Sequence, residues 1–293
     1  MERDAHEGAD GGLGAKGGSG VGDGFGLTDL PENLIVAAWP PDLVLVGLCV
    51  CSKDLAQALR LAPVVVHRAE WMMQGKGLSD RGETAFAGLL EGMAGLLRLD
   101  LGQNGLGDAG AQALARYLPS SLERLDLQEN GITAGGVGAL ACRLPPSLLR
   151  LKLSGNMLGD AGAEALAPHL PSSLQRLKLS RNMLGPSGVE ALAPCLPSSL
   201  QRLELSSNQL GDAGAEALAR RLPCSLLHLE LESNNIGAAG AEVLGQHLPS
   251  SLQHLSLGFN QLWDAGVHAL AHRLPSSLLH LDLRWNQIGN MGA

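Results

Sequence analysis

The sequence predicts an α/β solenoid, a curved parallel sheet with outer helices, preceded by a small all-α head. Two observations predict the solenoid. The stretch SLLRLKLSGNMLG, Ser147 to Gly159, returns 26 residues later as SLQRLKLSRNMLG, Ser173 to Gly185. Within each copy the apolar residues change from alternating to helical spacing, which is typical of one strand followed by one helix. The head is predicted from a separate apolar run between residues 28 and 66.

The repeated unit has the pattern LxxLxLxxNx[LI] and a constant length of 26 residues. One strand and one helix cannot bury their own apolar faces, whereas stacked copies share a continuous core. We expect the repeats to fill residues 67–293, with a degenerate capping repeat in Trp71–Leu90 that shields the first layer. The full units begin at Leu96, Leu122, Leu148, Leu174, Leu200, Leu226, Leu252 and Leu278.

The third unit illustrates the predicted strand. Leu151 and Leu153 alternate with Lys152, so the two leucines face the core and the lysine faces outward. Asn156 follows the strand, and an asparagine holds this position in all eight units. Its carboxamide can bond backbone groups that turn away from the sheet and would otherwise be buried without partners. We therefore predict a structural role for the asparagines, because no reaction needs the same residue eight times.

The second half of the unit predicts a helix. Ala163, Leu166 and Leu170 fall on one helical face. Asp160, near the start, is expected to cap this same helix, and Pro171 ends it.

The strand pattern resembles the leucine-rich repeat. The continuation, LGDAGAEALA followed by LP and SSL, is similar to the ribonuclease-inhibitor type, which includes the Ran GTPase-activating proteins and the recognition arms of NOD-like receptors. The resemblance implies a protein-binding module that uses its concave face and is not an enzyme. A GTPase-activating regulator and the sensing arm of a NOD-like receptor-type protein are the alternatives.

The head, residues 28–66, reads as three short helices separated by Pro40-Pro41 and by Ser52. The residues LPxxL from Leu30, then Asp42-Leu43, then Val50-Cys51 resemble the F-box. That resemblance implies a substrate-recognition subunit of a cullin-type ubiquitin ligase. The alternative is a helical cap that only seals the solenoid. The adaptor-binding residues implied by the resemblance are Leu30, Pro31, Leu34, Leu43, Val50 and Cys51.

The composition excludes several classes of function. A formal net charge of −8 argues against a general nucleic-acid binder, which should be basic. No motif for a nucleophile, a phosphate loop or a zinc site is present, so we expect no cofactor and no metal. His268 and His272 lie one helical turn apart, but no third ligand is evident. Residues 1–27 are rich in glycine and acids and are expected to be disordered.

The cysteines and the amino terminus indicate the compartment. The five cysteines show no CxxC spacing, so we expect buried thiols in a reducing environment. The amino terminus carries no apolar signal segment, and the longest apolar run is too short to span a membrane. A cytoplasmic or nuclear location is predicted.

The concave face carries a predicted basic patch. In most units an arginine or histidine has an acid two residues later on the same strand, which offsets its charge. The third and fourth units break this rule, and we expect an acidic patch of a protein partner to dock there. The patch consists of Arg150, Lys152, Arg176, Lys178 and Arg181.

Two further expectations concern the last units. Phe259 and Trp285 hold equivalent positions and are expected to form an aromatic anchor for a partner. The last strand, Leu278 to Asn286, is followed by too few residues for a helix. We therefore expect either a fragment of a longer chain or an end that another chain covers.

Overall fold

The computed structural model describes residues 43–46, 64–67, 96–290 and 292. All the described residues belong to one compact unit of the chain. The predicted disorder of residues 1–27 and the capping repeat in Trp71–Leu90 lie outside the described residues. Most of the predicted head, residues 28–66, lies outside them as well.

The described strands form one parallel sheet in which spatial order follows chain order. Neighbouring strands pair with a shift of one unit, so Leu151 lies beside Leu125 on one side and Leu177 on the other. The sheet predicted from the repeats is confirmed. The strands are β1 Leu43–Val46, β2 Val64–His67, β3 Arg98–Asp100, β4 Arg124–Asp126, β5 Arg150–Lys152, β6 Arg176–Lys178, β7 Arg202–Glu204, β8 His228–Glu230, β9 His254–Ser256 and β10 His280–Asp282.

The first two strands correct the prediction of an all-α head. Leu43–Val46, which was expected to be helical, is strand β1 and pairs with β2. β2 contains three successive valines and pairs in turn with β3. Valine favours extended backbone because its branched Cβ restricts rotation in a helix and packs well on a pleated surface. The helical assignment is therefore wrong at these residues, and the sheet begins before the first full repeat.

A helix follows seven of the eight repeat strands among the described residues, and each helix packs beside the next. Short 3₁₀ turns, Ala167–His169 and Ala193–Cys195, extend the third and fourth helices. Each turn contains a proline, which lacks the backbone donor that an α-helix would use there. The helices are α1 Gly107–Ala115, α2 Ala134–Ala141, α3 Gly159–Leu166, α4 Pro186–Leu192, α5 Gly211–Ala219, α6 Ala238–His247 and α7 Trp263–Ala271.

The core is a stack of aliphatic layers between the sheet and these helices. Leu151 and Leu153 are each 1% exposed, and the helical Ala163 and Leu166 are equally buried. The predicted faces of the strand, and of the helix as far as Leu166, are confirmed. Leu170, which was predicted on the same helical face, lies beyond the 3₁₀ turn in extended backbone and is partly exposed, so the helix ends before Pro171. Fully burying a leucine contributes roughly 1.5–3 kcal/mol, so each repeat adds several such increments to the same continuous core.

The asparagines that follow the eight repeat strands form the predicted ladder of hydrogen bonds, which Asn156 illustrates most fully. Oδ1 of Asn156 accepts from the backbone N–H groups of Asn130 and Ile132, each at 3.0 Å. Its Nδ2 donates to the carbonyl oxygens of Leu127 and Leu153 at 2.9 and 2.8 Å. One buried side chain thus satisfies four backbone groups from two repeats, and the structural role is confirmed.

The aspartates at the helix starts correct a second prediction. Asp160 lies in the first turn of α3, yet α3 has no side-chain cap. Instead, Oδ1 of Asp160 accepts a 2.6 Å hydrogen bond from the N–H of Gly185, which precedes α4 in the next repeat. Asp212 makes the same contact with Gly237. A carboxylate at a helix N-terminus is stabilising, and here each aspartate caps the helix that follows its own.

This capping makes two successive repeats one structural unit. Burial raises the pKa of Asp108, but hydrogen bonds from Thr133 and Gly136 outweigh that effect and lower it below the ordinary value. In the capped helices, the position three residues after the N-cap lies so close to the capping aspartate that only glycine fits there. A Cβ added to Gly188 would lie 2.5 Å from Oδ1 of Asp160, and one added to Gly240 would lie 2.6 Å from Oδ1 of Asp212.

The cysteines do not match their predicted burial. Cys142 and Cys224 are exposed, and Cys195 is partly exposed. They lie on the side of the helices and of the loops after them, away from the aliphatic layers that fill the core. Small polar residues hold some equivalent positions in other repeats, so these sites do not require burial. Cys49 and Cys51 lie outside the described residues.

Candidate partner-binding surface

The face of the sheet turned away from the helices presents side chains in two columns, and we call it the open face. Because neighbouring strands pair in register, equivalent residues lie side by side at about 4.8 Å spacing. The first column is Arg98, Arg124, Arg150, Arg176, Arg202, His228, His254 and His280. The second column is Asp100, Asp126, Lys152, Lys178, Glu204, Glu230, Ser256 and Asp282.

The two lysines of the predicted basic patch are neutralised by acids of neighbouring repeats. Nζ of Lys152 lies 2.5 Å from Oδ2 of Asp126, and Nζ of Lys178 lies 2.7 Å from Oε2 of Glu204. Both acids are about nine-tenths buried. The crowding expected between the two lysines is therefore relieved, because each ammonium group faces a carboxylate on the adjacent strand.

Arg202 marks one end of the neutralised region. Its Nε lies 2.5 Å from Glu204, and its second terminal nitrogen lies 2.5 Å from Glu230. The sequence predicted that first-column residues pair with an acid two residues later. Among the described residues of that column, Arg202 makes this ion pair, with Glu204. Burial and the charge of Glu204 raise the pKa of Glu230.

Four arginines on the open face have no carboxylate partner among the described residues. We call Arg98, Arg124, Arg150 and Arg176 the arginine column. Asp126 is turned toward Lys152 rather than toward Arg124. The buried Nε of Arg124 has no hydrogen-bond partner in the part of the chain that the structure describes. The surplus positive charge thus lies in this column and not, as predicted, in the lysines.

The arginines of this column affect one another electrostatically. Burial lowers the pKa of Arg124, and the charges of Arg98 and Arg176 lower it further, while the charge of Glu123 opposes them without forming an ion pair. Burial also lowers the pKa of Arg150, with additional contributions from Arg124, Arg176 and Arg98. A column of like charges on a rigid sheet is therefore a surface whose electrostatic free energy would improve when an anion binds.

An exposed edge borders the same repeats. Arg181, the fifth residue of the predicted patch, is exposed in the turn after β6 with φ of +56°. Met157 and Met183 follow the ladder asparagines of neighbouring repeats, and each is about half exposed. Sequence reasoning missed these methionines, although their equivalent positions in adjacent repeats are visible in the printed sequence.

Two aromatic side chains of the last two repeats, Phe259 and Trp285, lie together. The rings of Phe259 and Trp285 are stacked with centroids 5.7 Å apart and planes inclined by 16°. Trp285 is 74% exposed. The backbone N–H of Trp263 donates a 3.1 Å hydrogen bond to the backbone carbonyl of Asn286, the residue that follows Trp285. We call Phe259, Trp263 and Trp285 the aromatic edge.

Trp263 has a left-handed backbone conformation at a position where several other repeats have glycine. Its φ is +53°, where Gly107, Gly159 and Gly211 of the equivalent repeats have φ of +57° to +58°. A residue with a side chain costs roughly 1–2 kcal/mol in this region, yet Trp263 is 54% exposed and is not needed to fill the core. Other non-glycine residues in the turns of the repeats, such as Met183 and Asn235, also have φ of +57°, so the backbone conformation alone does not distinguish Trp263. The substitution of tryptophan for glycine in the repeat pattern was the available signal.

Three histidines continue the first column. His228 and His254 are stacked with ring centroids 4.2 Å apart, and His254 lies 5.7 Å from His280. Burial lowers the pKa of His228, and His254, Arg202 and Arg176 lower it further, while Glu204 opposes them. The neutral form is therefore favoured at this position in the folded protein.

This shift predicts a pH dependence of stability. The unfolded chain takes up a proton at His228 near the ordinary pKa of 6.5, and the folded chain does so only at lower pH. The free energy of unfolding should therefore fall as the pH falls below 6.5. We expect His228→Gln to flatten this slope in urea titrations at pH 7 and pH 5.5. Glu230 acts in the opposite direction at lower pH, so the difference between the two proteins isolates the histidine. An unchanged slope would show that His228 does not contribute.

Other predicted residues are not brought to this surface. Leu43 begins β1, and the remaining predicted adaptor-binding residues lie outside the described part of the chain. His268 and His272 contact each other edge to face on α7. The described residues contain no cluster of three or more potential metal ligands. None of their helices is both long and apolar enough to cross a membrane.

Solved structures of several known proteins are similar to this chain, and one of them has a TM-score above 0.5. The LegL7 leucine-rich repeat-containing protein of Legionella pneumophila is 18% identical, with a TM-score of 0.55 over 81% of this chain and 82% of that chain. An internalin (inlF) of Listeria monocytogenes is 22% identical, with a TM-score of 0.42 over 68% and 50%. The plant peptide hormone receptor RGFR1, in complex with RGF2, is 21% identical, with a TM-score of 0.45 over 85% and 35%. No curated protein matches the chain by sequence.

The repeats themselves carry the family assignment. Eight segments match the Leucine Rich repeat family, namely residues 96–115, 119–141, 145–167, 171–193, 197–219, 223–245, 249–271 and 275–293. These segments cover more than half of the chain and coincide with the units read from the sequence. The chain belongs to the leucine-rich repeat family.

Proposed function

We propose that this protein is a binding module that holds an acidic segment of a protein partner on its open face, against the arginine column. The observation that carries the proposal is that four arginines in register have no carboxylate partner among the described residues. Guanidinium groups bind carboxylates through paired hydrogen bonds. An acidic segment would supply the acceptors that the column lacks.

The charges around the arginine column favour a binding region for the acidic segment that is limited to the column. Asp126 and Glu204 are already held by the lysines of the second column, so they do not compete strongly for the arginines. Beyond the column, Arg202 is neutralised by Glu204 and Glu230. A partner that excludes water over the column would strengthen each charged contact, and the positive potential would speed encounter at low salt.

The aromatic edge supports a second contact for the same partner. Phe259 in the repeat of β9 lies three strand spacings from Arg181 in the repeat of β6, which is about 14 Å. An extended chain covers that distance in about four residues, at roughly 3.3 Å each. Exposed aromatic rings are frequent anchors of protein interfaces. A single segment with acids at one end and an apolar side chain at the other would contact both places.

The narrower hypotheses from the sequence have less support. No contact among the described residues favours a ubiquitin-ligase adaptor, a GTPase or a sensing role over protein binding in general. The strand at Leu43–Val46 argues against a helical adaptor site at that point. The ribonuclease-inhibitor subtype remains a prediction.

A selection experiment tests the proposed function. Random peptides displayed on phage are selected against the immobilised full chain, and the recovered sequences are compared with the starting library. We expect enrichment of acidic peptides. We expect Arg150→Glu combined with Arg176→Glu to weaken their binding by at least about tenfold, because two contacts become repulsive.

A matched control distinguishes binding by the arginine column from a general effect of the protein's net charge. Arg143 and Arg221 are exposed on the helix side of the chain, and none of the described residues forms an ion pair with them. Arg143→Glu combined with Arg221→Glu changes the net charge equally and should leave binding nearly unchanged. Recovered peptides without an acidic excess, or binding that survives the open-face reversal, would contradict the proposal.

A further inference from the structure

We infer that the arginine column is a phosphoryl-binding site, and that its ligand is a partner segment carrying two phosphorylated residues three positions apart. The inference rests on the proposed function and narrows the acidic segment to one chemistry. It is drawn from the spacing of the four arginines, which lie side by side on β3, β4, β5 and β6.

One carboxylate for each arginine does not match this spacing in an extended strand or in a helix, and a polyproline II segment brings an acidic residue to the column only at every third position. Neighbouring arginines are separated by about 4.8 Å. Side chains on one face of an extended strand recur every two residues, which is roughly 6.6 Å. On a helix, residues four apart are separated by about 6 Å along the axis. A run of acidic residues crossing the strands would therefore fall out of step with the column after one or two arginines.

A phosphoryl group can serve two arginines together. It carries a charge near −2 at neutral pH and offers three strong acceptor oxygens. One phosphoryl group placed between Arg98 and Arg124, and a second between Arg150 and Arg176, would neutralise the four guanidinium groups. Each guanidinium group would then use its planar fork of donors on a tetrahedral anion, a geometry that arginine suits better than lysine does.

The separation of the two phosphoryl groups specifies the ligand backbone. The centres of the two arginine pairs are two strand spacings apart, which is about 9.6 Å. In a polyproline II segment, residues three positions apart lie on the same side and are separated by about 9.3 Å. The match needs no distortion of either chain. Such a segment also has few conformations to lose on binding, which favours affinity.

The charges around the arginine column favour a ligand that carries several negative charges. Lys152 and Lys178 lie beside the pair Arg150 and Arg176, but their charges are offset by Asp126 and Glu204. The buried Nε of Arg124 has no acceptor among the described residues. The register of the strands places the four like charges side by side, and burial together with the neighbouring arginines lowers the pKa of both Arg124 and Arg150.

Synthetic peptides test the inference on the full chain. The probe is an end-capped peptide containing phosphoserine–Pro–Ala–phosphoserine in a proline-rich host. We compare it with an isomer in which the phosphoserines are two positions apart, and with a peptide of equal total charge that carries four glutamates. Isothermal titration calorimetry measures the dissociation constants. We expect the first peptide to bind at least tenfold tighter than either of the others, and Arg150→Glu with Arg176→Glu to abolish its binding.

The outcomes separate this inference from the proposed function. If the glutamate peptide binds as tightly and still needs the arginines, the phosphoryl assignment is overturned while the acidic-partner proposal stands. If the two phosphorylated isomers bind equally well, the bridging of arginine pairs is overturned. If no peptide binds, or if binding survives the arginine reversal but not Arg143→Glu with Arg221→Glu, both proposals fail.

Discussion

Replacing Asn156 by alanine is expected to lower the free energy of unfolding by about 4 kcal/mol. The substitution leaves the N–H groups of Asn130 and Ile132 and the carbonyl of Leu127 buried without partners. Each such group costs roughly 1–3 kcal/mol. The carbonyl of Leu153 keeps a hydrogen bond from Asn182 and does not add to the loss. Urea denaturation measures the effect, and hydrogen exchange should localise it to the second and third repeats, because repeats contact only their neighbours.

Asn182 provides a matched control from the same ladder. Its Oδ1 accepts no hydrogen bond from any of the described residues. Its Nδ2 donates to the carbonyls of Leu153 and Leu179, and these also accept from Asn156 and Asn208. Asn182→Ala therefore leaves no described backbone group in the core without a partner, and it should cost about 2–3 kcal/mol less than Asn156→Ala. An equal decrease in the free energy of unfolding for the two variants would mean that the asparagines stabilise the fold by filling space and not by hydrogen bonding.

Gly188→Ala is expected to lower the free energy of unfolding by about 2–3 kcal/mol. The new Cβ would lie 2.5 Å from Oδ1 of Asp160 and 2.9 Å from the Cα of that residue. The backbone cannot move away without disturbing α3, so the carboxylate must leave its 2.6 Å hydrogen bond with Gly185. Overpacking of this kind costs roughly 1–3 kcal/mol, and the lost cap adds to it.

Gly138→Ala is the control for the helical glycine. Its Cβ would meet Ala165 Cβ at 3.5 Å, which is an ordinary contact. Alanine is favoured over glycine in a helix by roughly 0.5–1 kcal/mol, so this variant should be slightly more stable than the wild type. Both variants are compared by thermal and urea denaturation. A stable Gly188→Ala variant would refute the close approach of the aspartate to the next helix.

Local features of the fold were predictable because they depend on spacing within one repeat. Leu151 and Leu153 alternate with Lys152, and Asn156 recurs after the strand, so the faces of the strand and the ladder follow from the printed letters. The helical assignment at Leu43–Val46 failed because a short apolar run fits a helix or a strand equally well. Its pairing with β2, which joins it to the repeat sheet, involves residues distant in the sequence.

The candidate site depended on contacts that one strand does not reveal. Asp126 was expected to offset Arg124, its neighbour on β4, but it binds Lys152 on β5. A lysine has a long flexible side chain and reaches a carboxylate on the next strand as easily as on its own. The same holds for Asp160, whose partner Gly185 is 25 residues away. Three-dimensional packing decides which of two nearby partners a side chain binds. The order of residues along one strand does not give this information.

The central claim is that the arginines of the column contact the partner, whereas the adjacent lysines only contribute to the electrostatic field. The most direct measurement is the dissociation rate of the tightest acidic peptide obtained by display. It is measured from the full chain, from Arg150→Gln with Arg176→Gln, and from Lys152→Gln with Lys178→Gln. Both variants remove two positive charges and should slow association to a similar degree, since association depends on the field of the whole surface.

Dissociation should separate the two variants. Loss of two charged hydrogen bonds in the interface should raise the dissociation rate of the arginine variant by about tenfold or more. The lysine variant should dissociate within about twofold of the wild-type rate, because its side chains are engaged by Asp126 and Glu204. Equal dissociation rates for the arginine variant and the wild type would contradict the account.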